Sequence, residues 1–387
     1  MPLHVYVLAL GAFSLITTEF GIIGMLPQLS SAFGVSIETA AWLLSGFALV
    51  IALFGPAMTL ACSAVNRKLA FTVVLACFVA ANVWSAFATE FKLLLALRLF
   101  LALLHPVFWA FAIAVAASSV EEKDSPRAVS IVFLGLSAGT VLGVPLVAYV
   151  TDAFGWSGGF MTFALLNGVS LIAMLLALPS LPVTQRLTFS NQLGVLCKAS
   201  LWSNLIVLFF IMASIFSIYG FFAEYMQQVV GVNGRTVSIL LLLFGAAGFV
   251  GNLVAGKLIT ISLPGAVYAF LAGLAVVLLC LYGTSNLPLV VTGIVVVWGF
   301  VHAAGFLLGQ TVVARSTKEA PEFGNALFAS IGNAGVAFGT FVGALVIADI
   351  GTDILPLFAV AMLAVTAIGF VIAERLQSRM NRSPIAA

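Results

Sequence analysis

Apolar residues run along this chain in blocks of about twenty, separated by short clusters of Gly, Pro, Asn and charged residues. A helical segment of about 20 apolar residues is what crosses the hydrocarbon core of a bilayer. The pattern divides into twelve such blocks: 4–26, 39–62, 69–88, 92–117, 127–150, 158–178, 201–226, 236–260, 264–283, 288–315, 322–348 and 353–375. It predicts an all-α membrane protein of twelve transmembrane helices. The first block is longer than a signal-peptide core and has no basic residues ahead of it, so it is expected to be retained as a span. The longest polar interruption, "PSLPVTQRLTFSNQLGVLCKAS", covers residues 179–200 and falls at mid-chain. It suggests a six-helix bundle over 1–178, a cytoplasmic linker over 179–200, and a second six-helix bundle with a short tail over 201–387.

Repetition supports that division. Gly34-Val35 recurs as Gly231-Val232, Thr39 as Thr236 and His105 as His302, each shifted by 197 positions. Gly139 and Gly143 recur as Gly335 and Gly339, shifted by 196. A near-constant offset across three regions points to two six-helix pseudo-repeats. With six spans per half the repeats run parallel, related by an axis along the membrane normal, and a substrate site is expected between them near mid-membrane.

Composition sharpens this reading. The chain is 63% hydrophobic and 7% charged, against roughly 25% charged in an ordinary soluble domain. Its bases are unevenly placed. If the N-terminus is cytoplasmic, the inner loops and tail hold twelve of them: Arg67, Lys68, Lys123, Arg127, Arg186, Lys198, Lys257, Arg315, Lys318, Arg375, Arg379 and Arg382. The outer loops hold Lys92 and Arg235 alone. This bias predicts that both termini are cytoplasmic. Cys62, Cys77, Cys197 and Cys280 show neither a pairing pattern nor metal-ligand spacing and read as small buried hydrophobes.

Two charges lie inside the first half's spans. Glu19, in "SLITTEFGIIGMLPQL", is about seven residues from the outer end of its span, or roughly 10 Å deep at 1.5 Å per residue. Arg98, in "LLLALRLFLALLHPVFW", lies at a matching depth in the fourth span. Each charge alone is costly in lipid, so the two are expected to pair. Arg98, His105 and Trp109 fall on one helical stripe, which places a base, a titratable imidazole and an indole on a single face. Positions 197 further on are Phe216 and Val295, so the charged pair is unduplicated. A fixed salt bridge would account for it; so would a proton-coupling group made of Glu19, Arg98 and His105.

The fifth span reads "GLSAGTVLGVPL". Gly135, Gly139 and Gly143 form a flat stripe on which another helix can approach closely, and Pro145 bends the helix and frees a carbonyl. Glu224, in "YGFFAEYMQQ", is a second acid at membrane depth, which either snorkels to the interface or contacts substrate at the outer mouth. Depth makes Phe108, Trp109, Tyr219, Trp298, His302, Gln310 and Asn333 candidates for the cavity wall.

"TTEF…G…LP" in span 1, the "R…H…FW" spacing of span 4 and "G…G…GVPL" in span 5 together resemble the twelve-span drug:proton antiporter family of the major facilitator superfamily. The likeness is greatest to its bacterial branch of sugar, arabinose and purine-nucleoside efflux permeases. "WGF" at 298–300, Gln310 and "GNAG" at 332–335 also fit that branch. The resemblance implies the major facilitator fold, alternating access and export of a small organic molecule against proton entry. It implies a bacterial inner membrane location and no cofactor beyond the proton gradient. One departure stands out: in the loop "TLACSAVNRKL", Ser63 occupies the place where that superfamily usually has an acid, and Thr260 stands in the equivalent loop of the second half.

No glycine-rich nucleotide loop is present, which argues against a primary pump. His4, His105 and His302 are too scattered for a metal site or an intramembrane enzyme. The expected partners are a small-molecule substrate, protons and the lipid bilayer, with no nucleic acid, and the expected state is a monomer. Proton-coupled uptake or facilitated diffusion is the alternative within transport, and a membrane receptor or scaffold the alternative outside it.

Overall fold

Gly155 turns the chain where a straight helix could not continue. The stretch Glu122–Ala177 contains 56 residues, about 84 Å if straight, against a bilayer core of about 30 Å. At Gly155 φ is 76°, a left-handed value that glycine reaches at no steric cost, and the chain folds back there. In this computed structural model, which describes residues 1–179, 195–319 and 321–382 and the side chains of all of these except 321, 322 and 376–382, eleven helical stretches are long and apolar enough to cross a membrane. The break at Gly155 makes two passes of one stretch, and so twelve in all.

The passes are α1 Leu3–Phe20, α2 Trp42–Ala61, α3 Arg67–Ala86, α4 Phe91–Ser118, α5 (125–154), α6 (156–177), α7 Ala199–Tyr219, α8 Gly234–Ile261, α9 Leu263–Gly283, α10 Pro288–Ser316, α11 Pro321–Asp349 and α12 Leu355–Arg382. An even number of passes returns the chain to its starting face, called proximal here; the opposite face is distal. Most of the expected linker, including Arg186, lies outside the described residues, as do the side chains of Arg379 and Arg382.

The sequence repeats have a visible cause in the distal turns. Gly34 and Gly231 both have positive φ, 60° and 79°. Each ends a short distal helix, Leu26–Phe33 or Phe222–Gln228, or the turn that follows it. Ser36 Oγ then accepts the Thr39 backbone N–H at 3.3 Å, and Asn233 Oδ1 accepts that of Thr236 at 2.9 Å. These are equivalent N-caps, each satisfying a donor that the helix start leaves free.

Within each half, one pair of helices packs through glycine. A Cβ on Gly135, Gly139 or Gly143 of α5 would overlap Ala9, Phe13 with Ile16, or Thr17 of α1. A Cβ on Gly335, Gly339 or Gly343 of α11 would overlap Phe209, Ala213 or Ser217 of α7. Lipid tails give no hydrophobic drive for helices to associate, so close backbone approach supplies the attraction instead. All six matched positions differ by 200, which corrects the pairing of Gly139 and Gly143 with Gly335 and Gly339. A glycine every four residues fits its neighbour equally well one turn out of register, and only the contacts fix the register. Gly139–Gly143 is moreover a π turn inside α5, just ahead of Pro145.

The halves meet through α2 against α11 and α5 against α8. Trp42 touches Phe341 at 5.8 Å between ring centroids, and Phe20 touches Phe216 at 5.5 Å. Ala148 and Leu241 close around Gly24. One apolar cluster continues from Ile22, Ile23 and Leu44 into Ile218, Phe222 and Leu241 of the second half. The proximal part of the first half forms a separate cluster around Phe71, Phe78 and Phe111. The structure is therefore sealed on the distal side.

Candidate functional site

Arg98 is 1% exposed and all three of its guanidinium nitrogens donate to backbone carbonyls. Nε reaches Leu43 O at 3.0 Å, Nη1 reaches Thr18 O at 3.0 Å and Nη2 reaches Glu19 O at 3.1 Å. Its guanidinium also lies 4.9 Å from the Phe47 ring centroid. The Thr18 and Glu19 carbonyls belong to the last turn of α1, the negative end of its dipole, before the chain tightens into the 3-10 turn Gly21–Gly24. Arg98 thus fastens the end of α1 to the start of α2.

The expected side-chain pair between Glu19 and Arg98 is corrected accordingly. Glu19, 4% exposed, directs Oε2 to His105 Nε2 at 3.2 Å. Matching depth made Arg98 a plausible partner, but its guanidinium turns to the backbone carbonyls of Leu43, Thr18 and Glu19, and the Glu19 carboxylate meets His105, two turns nearer the proximal face of the same helix.

Trp109 Nε1 donates to that same His105 Nε2 at 3.1 Å. One imidazole nitrogen offers either an N–H or a lone pair. With a proton on Nε2 it can donate to Glu19, and the indole N–H then has no acceptor there. With a lone pair it can accept from Trp109, and an ionised Glu19 is then left without a donor there. Where the proton sits therefore decides which neighbour His105 holds. Phe47 packs edge-on against the imidazole, at 5.7 Å. Thr18, one residue from Glu19, is fixed in turn by Asn167 Nδ2 at 2.8 Å.

The second half has a neutral counterpart. His302 meets Tyr219 with ring centroids 4.6 Å apart, and Tyr219 is 200 positions after Glu19, the offset set by the glycine contacts. The equivalent of Glu19 is thus Tyr219 and not Phe216, and the acid is still unduplicated. Phe244 stacks on Tyr219 at 5.0 Å and 12° and touches His302 at 4.9 Å, while Trp298 and Phe222 stack at 5.4 Å. Trp298 Nε1 and His302 Nδ1 are buried with no hydrogen-bond partner among the described residues.

The remaining candidates separate by environment. Phe108 is fully buried between Gly11 of α1 and Phe71 of α3; it is a core residue of the first half, which corrects its placement on a cavity wall. Trp109, the next residue, is half-buried and packs against both apolar clusters. Gln310 is half-buried, as is Asn333, whose Nδ2 donates to Ala329 O at 2.9 Å. Glu224 is 3% exposed and bonded to Gln228 Nε2, so it does not snorkel to the interface. Sequence reasoning missed Phe20, Phe216 and Phe244, which join the two halves' aromatic groups. No signal in the chain distinguishes these from other phenylalanines in apolar spans.

A family model described as the Major Facilitator Superfamily matches residues 8–317 and again 205–385. The chain is 30% identical over 350 residues to "Inner membrane transport protein YdhP" of Escherichia coli (strain K12), covering 90% of each chain. It is 26% identical over 371 residues to "Probable sugar efflux transporter" of Mannheimia succiniciproducens, covering 95% of this chain and 93% of that one. The fold is similar to that of the nucleoside transporter NupG, with TM-score 0.76, 11% identity, and coverage of 96% and 99%. It also resembles a bacterial homologue of the human lysosomal transporter Spinster in an inward-facing, occupied conformation, with TM-score 0.71, 17% identity, and coverage of 97% and 96%. Twelve apolar passes and a family match across the chain's length identify a multi-pass membrane protein that transports small molecules and is not an enzyme: it belongs to the Major Facilitator Superfamily.

Proposed function

We propose that this chain exports a small neutral or weakly charged organic molecule across the bacterial inner membrane in exchange for protons. The observation that carries the reading is the shared Nε2 of His105, contacted by Glu19 at 3.2 Å and by Trp109 at 3.1 Å. The names of two relatives, an inner membrane transport protein and a probable sugar efflux transporter, support the location and the direction. With the bases read as facing the cytoplasm, the closed distal seam is the outer one, as an inward-facing state requires.

In the outward-facing state a proton enters from outside onto the Glu19–His105 pair. After the outer side closes, that proton leaves toward the cytoplasm, Nε2 of His105 exchanges one neighbour for the other, and Trp109 shifts at the cavity wall. Trp109 with Tyr219, Trp298, His302, Gln310 and Asn333 form the substrate contacts. Aromatic faces and a few uncharged donors suit a sugar or nucleoside, and no carboxylate stands among these contacts, which disfavours polycations. Arg98 holds the geometry, while Gly135, Gly139, Gly143 and Pro145 let α5 move against α1. The two bundles, residues 1–178 and 201–387, rock about this site as a monomer, with the proton gradient as sole energy source.

Purified protein in liposomes with an imposed pH gradient, offered a panel of radiolabelled sugars and nucleosides, tests the reading. Uphill accumulation that collapses with the gradient is the expected result. Flux that only equilibrates substrate, indifferent to the gradient, would make this a facilitator, and uptake in symport with protons would reverse the direction.

A further inference from the structure

Glu224 is a buried acid that the coupling pair leaves unused. It lies in the short helix Phe222–Gln228, after the turn that ends α7. That helix packs against Leu26–Phe33 and Gly21–Gly24 of the other half, so Glu224 sits in the distal seam and is 3% exposed there. Its carboxylate accepts from Gln228 Nε2, and Gln228 Oε1 accepts from Thr352 Oγ1 at 3.3 Å.

Among the described residues, no Lys, Arg or His forms an ion pair with Glu224. The charged group whose field reaches it is a second acid, Glu38, on the turn before α2 in the opposite half. The packed elements Leu26–Phe33 and Gly21–Gly24 carry no titratable residue. At the start of α8, Arg235 is exposed. On the turn before α12 is Asp353, whose field, like that of Tyr282 in α9, falls on the adjacent Tyr225. A further acid, Asp152 of α5, abuts Gly234 of α8 across the same seam.

We propose that Glu224 is a proton-binding site of the distal seam: closing the seam takes up a proton at this carboxyl, and opening it returns the proton to the distal solution. Closure over an ionised Glu224 would bury an unpaired charge beside a like charge, which is unfavourable. Closure over the neutral acid buries a carboxyl already hydrogen-bonded to Gln228. The closed state then binds one more proton than the open one, so raising the pH favours opening, by up to about tenfold in the closed-to-open ratio per pH unit. The device requires only that the seam opens, and stands whether or not Glu19 couples protons to substrate.

The test is a distance measurement across the seam in the full chain in lipid nanodiscs. Spin labels go on Thr89→Cys and Asn286→Cys, in the exposed distal loops of the two halves, with the four native cysteines replaced. From about pH 5 to about pH 9 the long-distance population should grow. In Glu224→Gln, which keeps a hydrogen-bonding neutral side chain, the short distance should persist throughout. Glu38→Gln should raise the closed-to-open ratio at alkaline pH by about threefold or more and so move the midpoint up, because less repulsion lowers the cost of closing over an ionised Glu224. The pH response should survive in Glu19→Gln, which separates this site from the coupling pair. A response in Glu224→Gln equal to the parent's, or a parent with no response, overturns the proposal. If Glu224→Gln does not fold, an unmoved midpoint in Glu38→Gln overturns it equally.

Discussion

Arg98 grips Glu19 by its backbone carbonyl, at 3.1 Å, and leaves its carboxylate to another partner. The guanidinium is accordingly a fastener for the end of α1. Replacing it with Ala leaves the carbonyls of Thr18, Glu19 and Leu43 without this donor in a buried site, a loss of about 3 kcal/mol or more. Thermal unfolding in detergent should show a large fall in Tm for Arg98→Ala, unrelieved by adding Glu19→Gln. Rescue by the second change would restore a direct charge pair between the two side chains.

Glu19→Gln keeps the shape of the side chain and removes its ionisation. Substrate binding should persist while pH-driven flux falls by about tenfold or more. Proton release on substrate binding, measured in weak buffer, should disappear. Undiminished release would place the coupling proton elsewhere.

Trp109→Phe retains an aromatic wall but removes the N–H that competes for His105 Nε2. Glu19 then holds that nitrogen alone in both states. Substrate-dependent proton release should fall severalfold while binding of the same sugar or nucleoside weakens little. Equal loss of both would make Trp109 a substrate contact only.

The glycine stripe is graded. A Cβ on Gly139 would come 2.9 Å from Phe13 O, whereas one on Gly143 would overlap Thr17 directly. Gly143→Ala should therefore depress Tm and flux more than Gly139→Ala, and Leu at either position should abolish flux. Equal tolerance at the two sites would contradict the α1–α5 contact.

Lys198 and Glu319 pair on the exposed proximal side of the second half. The hydrogen bond from Lys198 holds the Glu319 carboxyl below its ordinary 4.5. A depressed carboxylate lends stability above its unfolded pKa and loses it as pH falls through the folded value. Lys198→Ala should thus lower Tm slightly near neutrality and not at all at strongly acidic pH. Because both groups are exposed, added salt should erase the effect.

The spans and the buried acid Glu19 were legible because lipid leaves little choice: backbone must be helical, and charge must be rare. Gly34, Thr39 and their counterparts Gly231 and Thr236 announced the repeat by residue type, and the turns they form became visible only in the structure. The partner of Glu19 was hidden, since Arg98 and His105 share one stripe and helix rotation is set by tertiary packing. Phe108 and Trp109 are adjacent aromatics pointing about 100° apart, so one reaches the core and the other the site. Phe216 and Phe244 were invisible among 33 phenylalanines.

The π turn at Gly139–Gly143 gives α5 one residue of slack. Converting it to ordinary α-helix would pass that residue along the rod, sliding the distal segment by about 1.5 Å and rotating it by about 100°. Pro145, which lacks the N–H its α-helical position would donate, keeps the register next to the turn cheap to change. Val147, Ala148 and Asp152, which lie beyond the turn, would swing together, Ala148 away from Gly24 and Asp152 away from Gly234 of α8. The helix can therefore act as a screw thread, turning a short axial slip into the parting of two surfaces without breaking a span.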